Sequence, residues 1–443
     1  MLALIGFLMV AVIVYCLIQS KTTPVPIFAL VPVVAAFAVG LVPGQTMFTP
    51  NEVAGFISKG VTTTWPVAVL FVFSITFFGV LTDAGMFEPM VNFLVKKAKT
   101  NVVMVTLATG IIATIAHLDG SLAVTLLITV PAMLPIYKKL NMRPITILII
   151  VGAAMSIMNL LPWGGPVARV AAITKMDINL LWHQLIPLQI AGVVVVILFS
   201  IFLGVLEKRR GAGLAAGADG EVILKEEVVD EKRKALMRPK LLWINVIITV
   251  LTLSLLAFFP KFPPYYCFMA GLAVALLVNY PDPKQQSARI KAHAGDALSM
   301  AAILLASGVF LGVLTGTKMI DEMAKAIIFV IPPFIGPYMH LVLGVLSIPI
   351  GMVLGTDSFF FGLLPIANQV GAQFGIDPIN MSKALLIGKN YGVIVTPHAA
   401  TTFLAIGLAG VELKEHLKVV TMWMWPLGIL SLVMAIMLGI VTI

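Results

Sequence analysis

Charge is the scarcest ingredient of this chain. Only 11% of its 443 residues are Asp, Glu, Lys or Arg, 60% are hydrophobic, and the mean hydropathy is +1.06. A soluble domain carries roughly 25% charge, so a water-soluble core of this size is excluded. Cysteine is nearly absent. Cys16 and Cys267 lie in or beside apolar runs and offer neither a disulfide framework nor a Cys-based metal site. The histidines, at 117, 183, 293, 340, 398 and 416, are scattered, and no His-Glu-x-x-His or comparable motif occurs, which argues against a membrane-embedded enzyme. The net charge of +9 sits in short segments between apolar runs, a pattern that does not suggest nucleic acid. The first apolar run lacks a basic segment before it and a small-residue cleavage site after it, so it is expected to be a retained span.

What is present is an all-α polytopic membrane protein. Spans of roughly 20 apolar residues are expected near 2–20, 24–42, 64–83, 144–174, 183–206, 241–259, 264–280, 295–316, 383–411 and 418–442. Residues 84–97 and 317–330 mix charge with apolar positions, as interfacial amphipathic helices do, while 51–60 and 284–293 are expected as short polar connections. Residues 207–240, mixed in charge and glycine-rich, are expected to form a cytoplasmic linker.

Four interruptions carry the chemistry. Asn159-Leu-Leu-Pro162-Trp163-Gly164-Gly165-Pro166-Val-Ala-Arg169 lies inside a run long enough to cross a bilayer. Proline lacks the N–H and glycine adds backbone freedom, so this stretch cannot continue an α-helix. Backbone freed within lipid has to face protein or water, which makes a broken helix a site-building device of secondary transporters. A second break spans Asn390 to Thr402 around Pro397. The apolar stretches 100–137 and 332–375 are interrupted by His117-Leu-Asp119-Gly120-Ser121 and Gly355-Thr356-Asp357-Ser358, and each is expected to be a re-entrant hairpin or, alternatively, two spans joined by a short loop.

The halves repeat. Gly79-Val-Leu-Thr82 and Gly312-Val-Leu-Thr315 are offset by 233 residues, Pro162 and Pro397 by 235, and Asp119 and Asp357 by 238. With the N-terminus outside, 21 of the 29 Lys and Arg fall on the cytoplasmic side, six fall outside, and Arg169 and Lys389 lie within spans. Positively charged loops stay inside, so both termini are expected outside, with residues 1–206 and 241–443 as inverted repeats. The hairpin at 100–137 then enters from the cytoplasm and that at 332–375 from outside.

Intramembrane ionisable residues are costly and point to function. Asp119 and Asp357 are candidate metal contacts and, with His117, candidates for proton coupling. Ser121, Asn159, Gly164, Gly165, Arg169, Thr356, Ser358, Lys389, Asn390, Thr396, His398 and Thr401 are candidates for substrate binding, and Thr402 belongs to the same ring of hydroxyls. Oxygen ligands suit a hard divalent cation, and Arg, Lys and protonated His suit carboxylates. Both signs of charge together fit a metal chelated by a polycarboxylate. Structural ion pairs Asp119–Arg169 and Asp357–Lys389 are the competing use of the same charges.

Asn-Leu-Leu-Pro-Trp-Gly-Gly-Pro at 159–166, Gly-Thr-Asp-Ser at 355–358 and Val-Thr-Pro-His at 395–398 resemble the bacterial citrate–divalent-metal:proton symporter family of the ion transporter superfamily. The resemblance implies uptake of citrate across the cytoplasmic membrane as a complex with Mg²⁺ or Ca²⁺. It also implies coupling to protons, no permanently bound cofactor, and substrate held between hairpin tips and broken helices. A moving unit would work against a scaffold carrying a homodimer contact. Sodium-coupled carboxylate symport or sodium–proton antiport is the alternative within the superfamily. A continuous channel is disfavoured, since the breaks cluster into one two-fold site.

Overall fold

The computed structural model describes residues 1–443 apart from 20–21, 42–46, 99–100, 214–230, 260 and 398. The first half contains α1 (Leu2–Ile18), α2 (Pro24–Ala38), α3 (Pro50–Asp83), α4 (Glu88–Ala98), α5 (Val102–Ala116), α6 (Leu122–Lys139), α7 (Pro144–Met158), α8 (Gly165–Thr174) and α9 (Ile178–Arg209). A short α10 (Glu231–Leu236) lies in the connecting segment. The second half repeats the order with α11 (Leu242–Phe258), α12 (Pro264–Asn279), α13 (Pro283–Gly316), α14 (Met319–Ile328), α15 (Met339–Asp357), α16 (Leu364–Gln373), α17 (Pro378–Asn390), α18 (Ala400–Ala409) and α19 (Leu413–Met437). No strand occurs among the described residues. Nine of the described helical segments are long and apolar enough to cross a membrane.

Both hairpins and both breaks form where the sequence interrupts itself. Asn101 caps α5 by accepting from Val103 and Met104 N–H, and Ser121 caps α6 through Val124 N–H. Between them, one tight turn at His117–Asp119 ends on Gly120 at φ 74, a left-handed angle that glycine takes without strain. The second hairpin turns at Gly355 with φ 73 and continues through a π-helical segment, Ser358–Leu363. The first broken helix stops at Asn159 and restarts at Gly165–Pro166, where proline suits the first turn. The second stops after Asn390 and restarts at Ala400.

α7 is the centre of the molecule: every residue from Ile145 to Met158 is buried. A helix apolar all round belongs among other helices. Its lower end is fixed by Glu207 of α9, whose fully buried carboxylate accepts from Arg143 Nε at 2.7 Å and Thr146 Oγ1 at 2.8 Å. The two halves interlock across the breaks. α8 packs against α17 and the π-helical segment of the second hairpin, and α18 packs against α6 and α7.

α3 and α13 differ from expectation. Residues 51–60 and 284–293 are not connections but the first turns of 34-residue helices. A capping box at Thr49 and Glu52 starts α3, and Asp282 caps α13 through Lys284 and Gln285 N–H. Each is about 50 Å long, well beyond the ~30 Å hydrocarbon layer, so their polar ends stay in water or headgroups. They run antiparallel, with Gly60 against Gly308 and Gly312, and Gly79 against His293. The repeated Gly79 and Gly312 thus serve close packing. At one end, Asp83 accepts from Arg289 at 3.1 Å and meets His293 Nε2 at 2.8 Å.

A Cβ on Gly312 would collide with the Phe56 carbonyl and lie 3.1 Å from Gly60 Cα, whereas a Cβ on Gly55, on the same seam's helix, meets nothing within 4 Å. Gly312→Ala should therefore destabilise the detergent-solubilised protein by about 1–3 kcal/mol. Gly55→Ala should leave it unchanged, as read from thermal unfolding of the two variants side by side.

Candidate functional site

The first hairpin tip is pinned to the first break by one indole. Trp163 Nε1 donates to the Leu118 carbonyl at 2.7 Å, and Gly120 lies so close that a Cβ there would sit 3.0 Å from the Trp163 ring. Phe78, Phe268 and Trp182 box the indole, with ring centroids 5.6, 5.1 and 6.5 Å away. His117, fully buried, has Nδ1 2.6 Å from Thr125 Oγ1 and Nε2 3.2 Å from Asn159 Oδ1, so it bridges the tip to the end of α7. Asn159 keeps its Nδ2 without a partner. Asp119 is 8% exposed; its Oδ1 accepts the Ser121 N–H at 2.8 Å, and no cation among the described residues pairs with it.

Arg169 lies on α8, one helical turn from Gly165 and so roughly 6 Å further along the axis. Its Nε and Nη2 donate to Asp357 Oδ1 at 2.9 and 2.6 Å, with side-chain exposures of 7% and 20%. Gly165 leaves room for this guanidinium, since a Cβ there would fall 2.8 Å from Nη1. Neither of the structural pairs weighed as the competing reading, Asp119–Arg169 and Asp357–Lys389, is formed among the described residues; one pair crosses between the halves instead. The cause is the packing of α8 on the second hairpin, which sequence proximity does not disclose.

Lys389 is left over. It is 1% exposed, its Nζ has no hydrogen-bond partner among the described residues, and Arg169 and Asp357 are its charged neighbours. Glycines make space around it: a Cβ on Gly351 would come 3.1 Å from Nζ and one on Gly392 3.3 Å. Next to it, both amide atoms of Asn390 are unpartnered at 1% exposure, as is Ser358 Oγ on the second hairpin. Buried polar groups normally find partners, so these three are among the exceptions in the described residues.

Other predicted residues have structural tasks. Thr396 Oγ1 donates to the Gly392 carbonyl, and Thr402 Oγ1 donates to the carbonyls of Ile394 and Thr396 at 3.1 and 2.7 Å. Gly164 is the turn residue before α8, where a Cβ would clash with the Leu161 carbonyl. Thr356 and Thr401 are half-buried. His398 lies outside the described residues. Sequence reasoning passed over His416, which is fully buried on α19 with Nε2 2.8 Å from the Ile394 carbonyl inside the second break. His340 is 1% exposed and donates from Nε2 to the Thr442 carbonyl at 2.8 Å.

A cavity of about 530 Å³ opens between α3, the end of α8 and the start of α12, with Ala171, Lys175, Asp177 and Lys261 among its walls. Ala171 is half a turn from Arg169, so this space approaches the site without reaching its charges. Among the described residues, no group of three or more His, Cys, Asp or Glu could by itself hold a metal ion.

Comparisons with known proteins agree over nearly the whole chain. The family model described as citrate transporter matches residues 10–388. A citrate transporter of Bacillus subtilis (strain 168) is 33% identical over 442 residues, covering 100% of both chains. A Mg(2+)/citrate complex secondary transporter of the same organism is 31% identical over 443 residues, again covering 100% of both. Two solved structures share the fold. The YdaH transporter of Alcanivorax borkumensis has a TM-score of 0.63 at 14% identity, covering 93% of this chain and 97% of that one. Neisseria gonorrhoeae MtrF, from a class of antimetabolite efflux pumps, has a TM-score of 0.62 at 13% identity, covering 95% and 96%.

The geometry of the second break makes His416 testable. His416→Leu should leave the Ile394 carbonyl to Thr402 alone and cost about 1–3 kcal/mol of stability. His416→Gln, which still carries an N–H donor, should retain most of it in detergent thermal-shift measurements.

Proposed function

The chain belongs to the citrate transporter family, and from that premise we propose that it imports citrate as a divalent-metal complex, coupled to protons by alternating access. The observation that carries this reading is a pair of unmatched, oppositely charged groups at the two interruptions: among the described residues, Asp119 on the first hairpin tip pairs with no cation and Lys389 beside the second break has no hydrogen-bond partner. Citrate complexed to Mg²⁺ or Ca²⁺ presents both a cation and free carboxylate oxygen, and the Mg(2+)/citrate relative supports that cargo. The ion is cargo and arrives already chelated, so two or three protein oxygens suffice to complete its shell.

In this reading Asp119 and Ser121 face the metal end. Lys389, Asn390 and Ser358 receive carboxylate and hydroxyl oxygens, with Arg169 held on Asp357 and Asn159, Thr356 and Thr401 beside them. Gly164 and Gly165 let backbone at the N-terminus of α8 approach an anion. His117, Asp119 and Asp357 are the candidates to carry the coupled proton. Alternating access moves hairpins and broken helices against a scaffold containing α3 and α13, with the two halves as inverted repeats. Exposed apolar faces such as Trp243, Ile247 and Leu251 on α11 are available to lipid or to a homodimer contact. The basic residues favour a cell-membrane protein with both termini outside.

Proteoliposomes loaded with purified protein should take up labelled citrate in the presence of Mg²⁺ or Ca²⁺, faster with an inward proton gradient. Equal uptake under excess chelator would sink the metal-complex reading. Asp119→Asn should insert normally yet lose about 10- to 100-fold of metal-dependent uptake, the equivalent of one charge-assisted contact of about 1.5–3 kcal/mol.

A further inference from the structure

We propose that the two acids are not equivalent. Asp119 alone meets the metal, Lys389 with Asn390 meets the uncomplexed carboxylate, and the Arg169–Asp357 pair is a charge-silent strut that makes the site reject citrate without a metal. This rests on the reading of the cargo as metal–citrate.

The argument starts from what each charge touches. Asp357 shares one oxygen, Oδ1, with both Nε and Nη2 of Arg169, so that acid is already matched by a cation delivered from the other half. Asp119 accepts backbone N–H groups, Ser121 among them, and no cation among the described residues pairs with it. Lys389 has no hydrogen-bond partner, although its side chain is almost wholly enclosed and Gly351 and Gly392 hold space around it. The neighbouring Asn390 amide is free at both atoms. One unmatched acid and one unmatched cation thus lie on opposite elements, the first hairpin tip and the second broken helix.

Arg169, Asp357 and Lys389, which neighbour one another, carry a net charge of +1 when ionised. Free citrate is a trianion at neutral pH, and placing it there would leave two uncompensated negative charges in a poorly solvated site. The cost of an unbalanced charge in low dielectric rises steeply with its size. A divalent metal reduces the cargo to a monoanion, which that net charge balances. The metal requirement follows from that balance as much as from any metal contact. Neutralising Asp357 would free Arg169 as a second anion receptor and favour the trianion more than the monoanion. Removing the Lys389 charge would do the reverse.

The experiment is isothermal titration of purified full-length protein with citrate, once with saturating Mg²⁺ and once with the chelator EDTA, and the readout is the ratio of the two affinities. Wild-type protein should prefer the complex. Asp357→Asn should lower the ratio at least ~10-fold, about 1.4 kcal/mol, chiefly by tightening metal-free citrate. Lys389→Gln should raise it, because the trianion loses more than the monoanion. The two variants leave different groups unpaired, so instability of one leaves the other to decide, with monodispersity on gel filtration as the check of folding. Ratios within threefold of wild type, or a shift in the direction opposite to that stated, would overturn the division of roles while leaving metal–citrate transport intact. Wild-type protein that binds neither form would overturn the transport reading itself, and this inference with it.

Discussion

An interrupted helix inside a bilayer has backbone groups with nowhere to go, and the molecule is arranged around supplying them. Each unpaired amide or carbonyl in hydrocarbon costs several kcal/mol, roughly. In the first break the chain closes short turns on itself, with Leu160 N–H on Ile157, Leu161 on Met158 and Gly164 on Leu161. In the second, side chains take over: Thr402 and His416 converge on the Ile394 carbonyl. Every element packed around α7 and α17 excludes lipid from these turns, which explains why two such polar interruptions persist in so apolar a chain.

The breaks also decide where charge can live. Ending α7 at Asn159 and restarting at Gly165 moves Arg169 sideways from its own hairpin and toward the other one. Ending α17 at Asn390 leaves Lys389 in the last helical turn, under the glycines of α15 and the turn that follows. A straight helix at either place would carry the same side chains along a lipid-length rod, with no shared chamber for them. Trp163 transmits the geometry on the opposite side, since one indole fixes the distance between hairpin tip and break. Backbone interruption, side-chain placement and electrostatics are one problem here, solved twice.

How far this was legible in the residue order depended on range. The hairpins, the breaks and the order of elements were visible because proline, glycine and isolated charges are local signals. The first turns of α3 and α13 were missed because their polar residues look like loop, although Thr49 with Glu52 and the Asp282 cap were available as start signals. The partner of Arg169 was not legible. Asp119 is the nearer acid in sequence, and only the packing of α8 against the π-helical segment brings Asp357 within reach. His416 looked like one of several scattered histidines, because a cap on a distant carbonyl leaves no pattern along the chain. Its one local cue was its place two turns past the end of the second broken helix.

The remaining asymmetry is where a repeated fold acquires specificity. Asn159 and Asn390 close equivalent helices at equivalent breaks, yet the residue before the first is Met158 and the residue before the second is Lys389. Asn159 is partly satisfied by His117, whereas Asn390 has no partner at all. The first tip is thus closed by hydrogen bonds around Asp119, while beside the second break an enclosed Lys389 adjoins the Arg169–Asp357 pair. Two identical halves would produce a site with the same charge at both ends, suited to a symmetric ion. On the proposed reading, unequal halves give the site an electrical direction, and an asymmetric cargo with a cation at one end and carboxylate at the other would lie along it in only one sense.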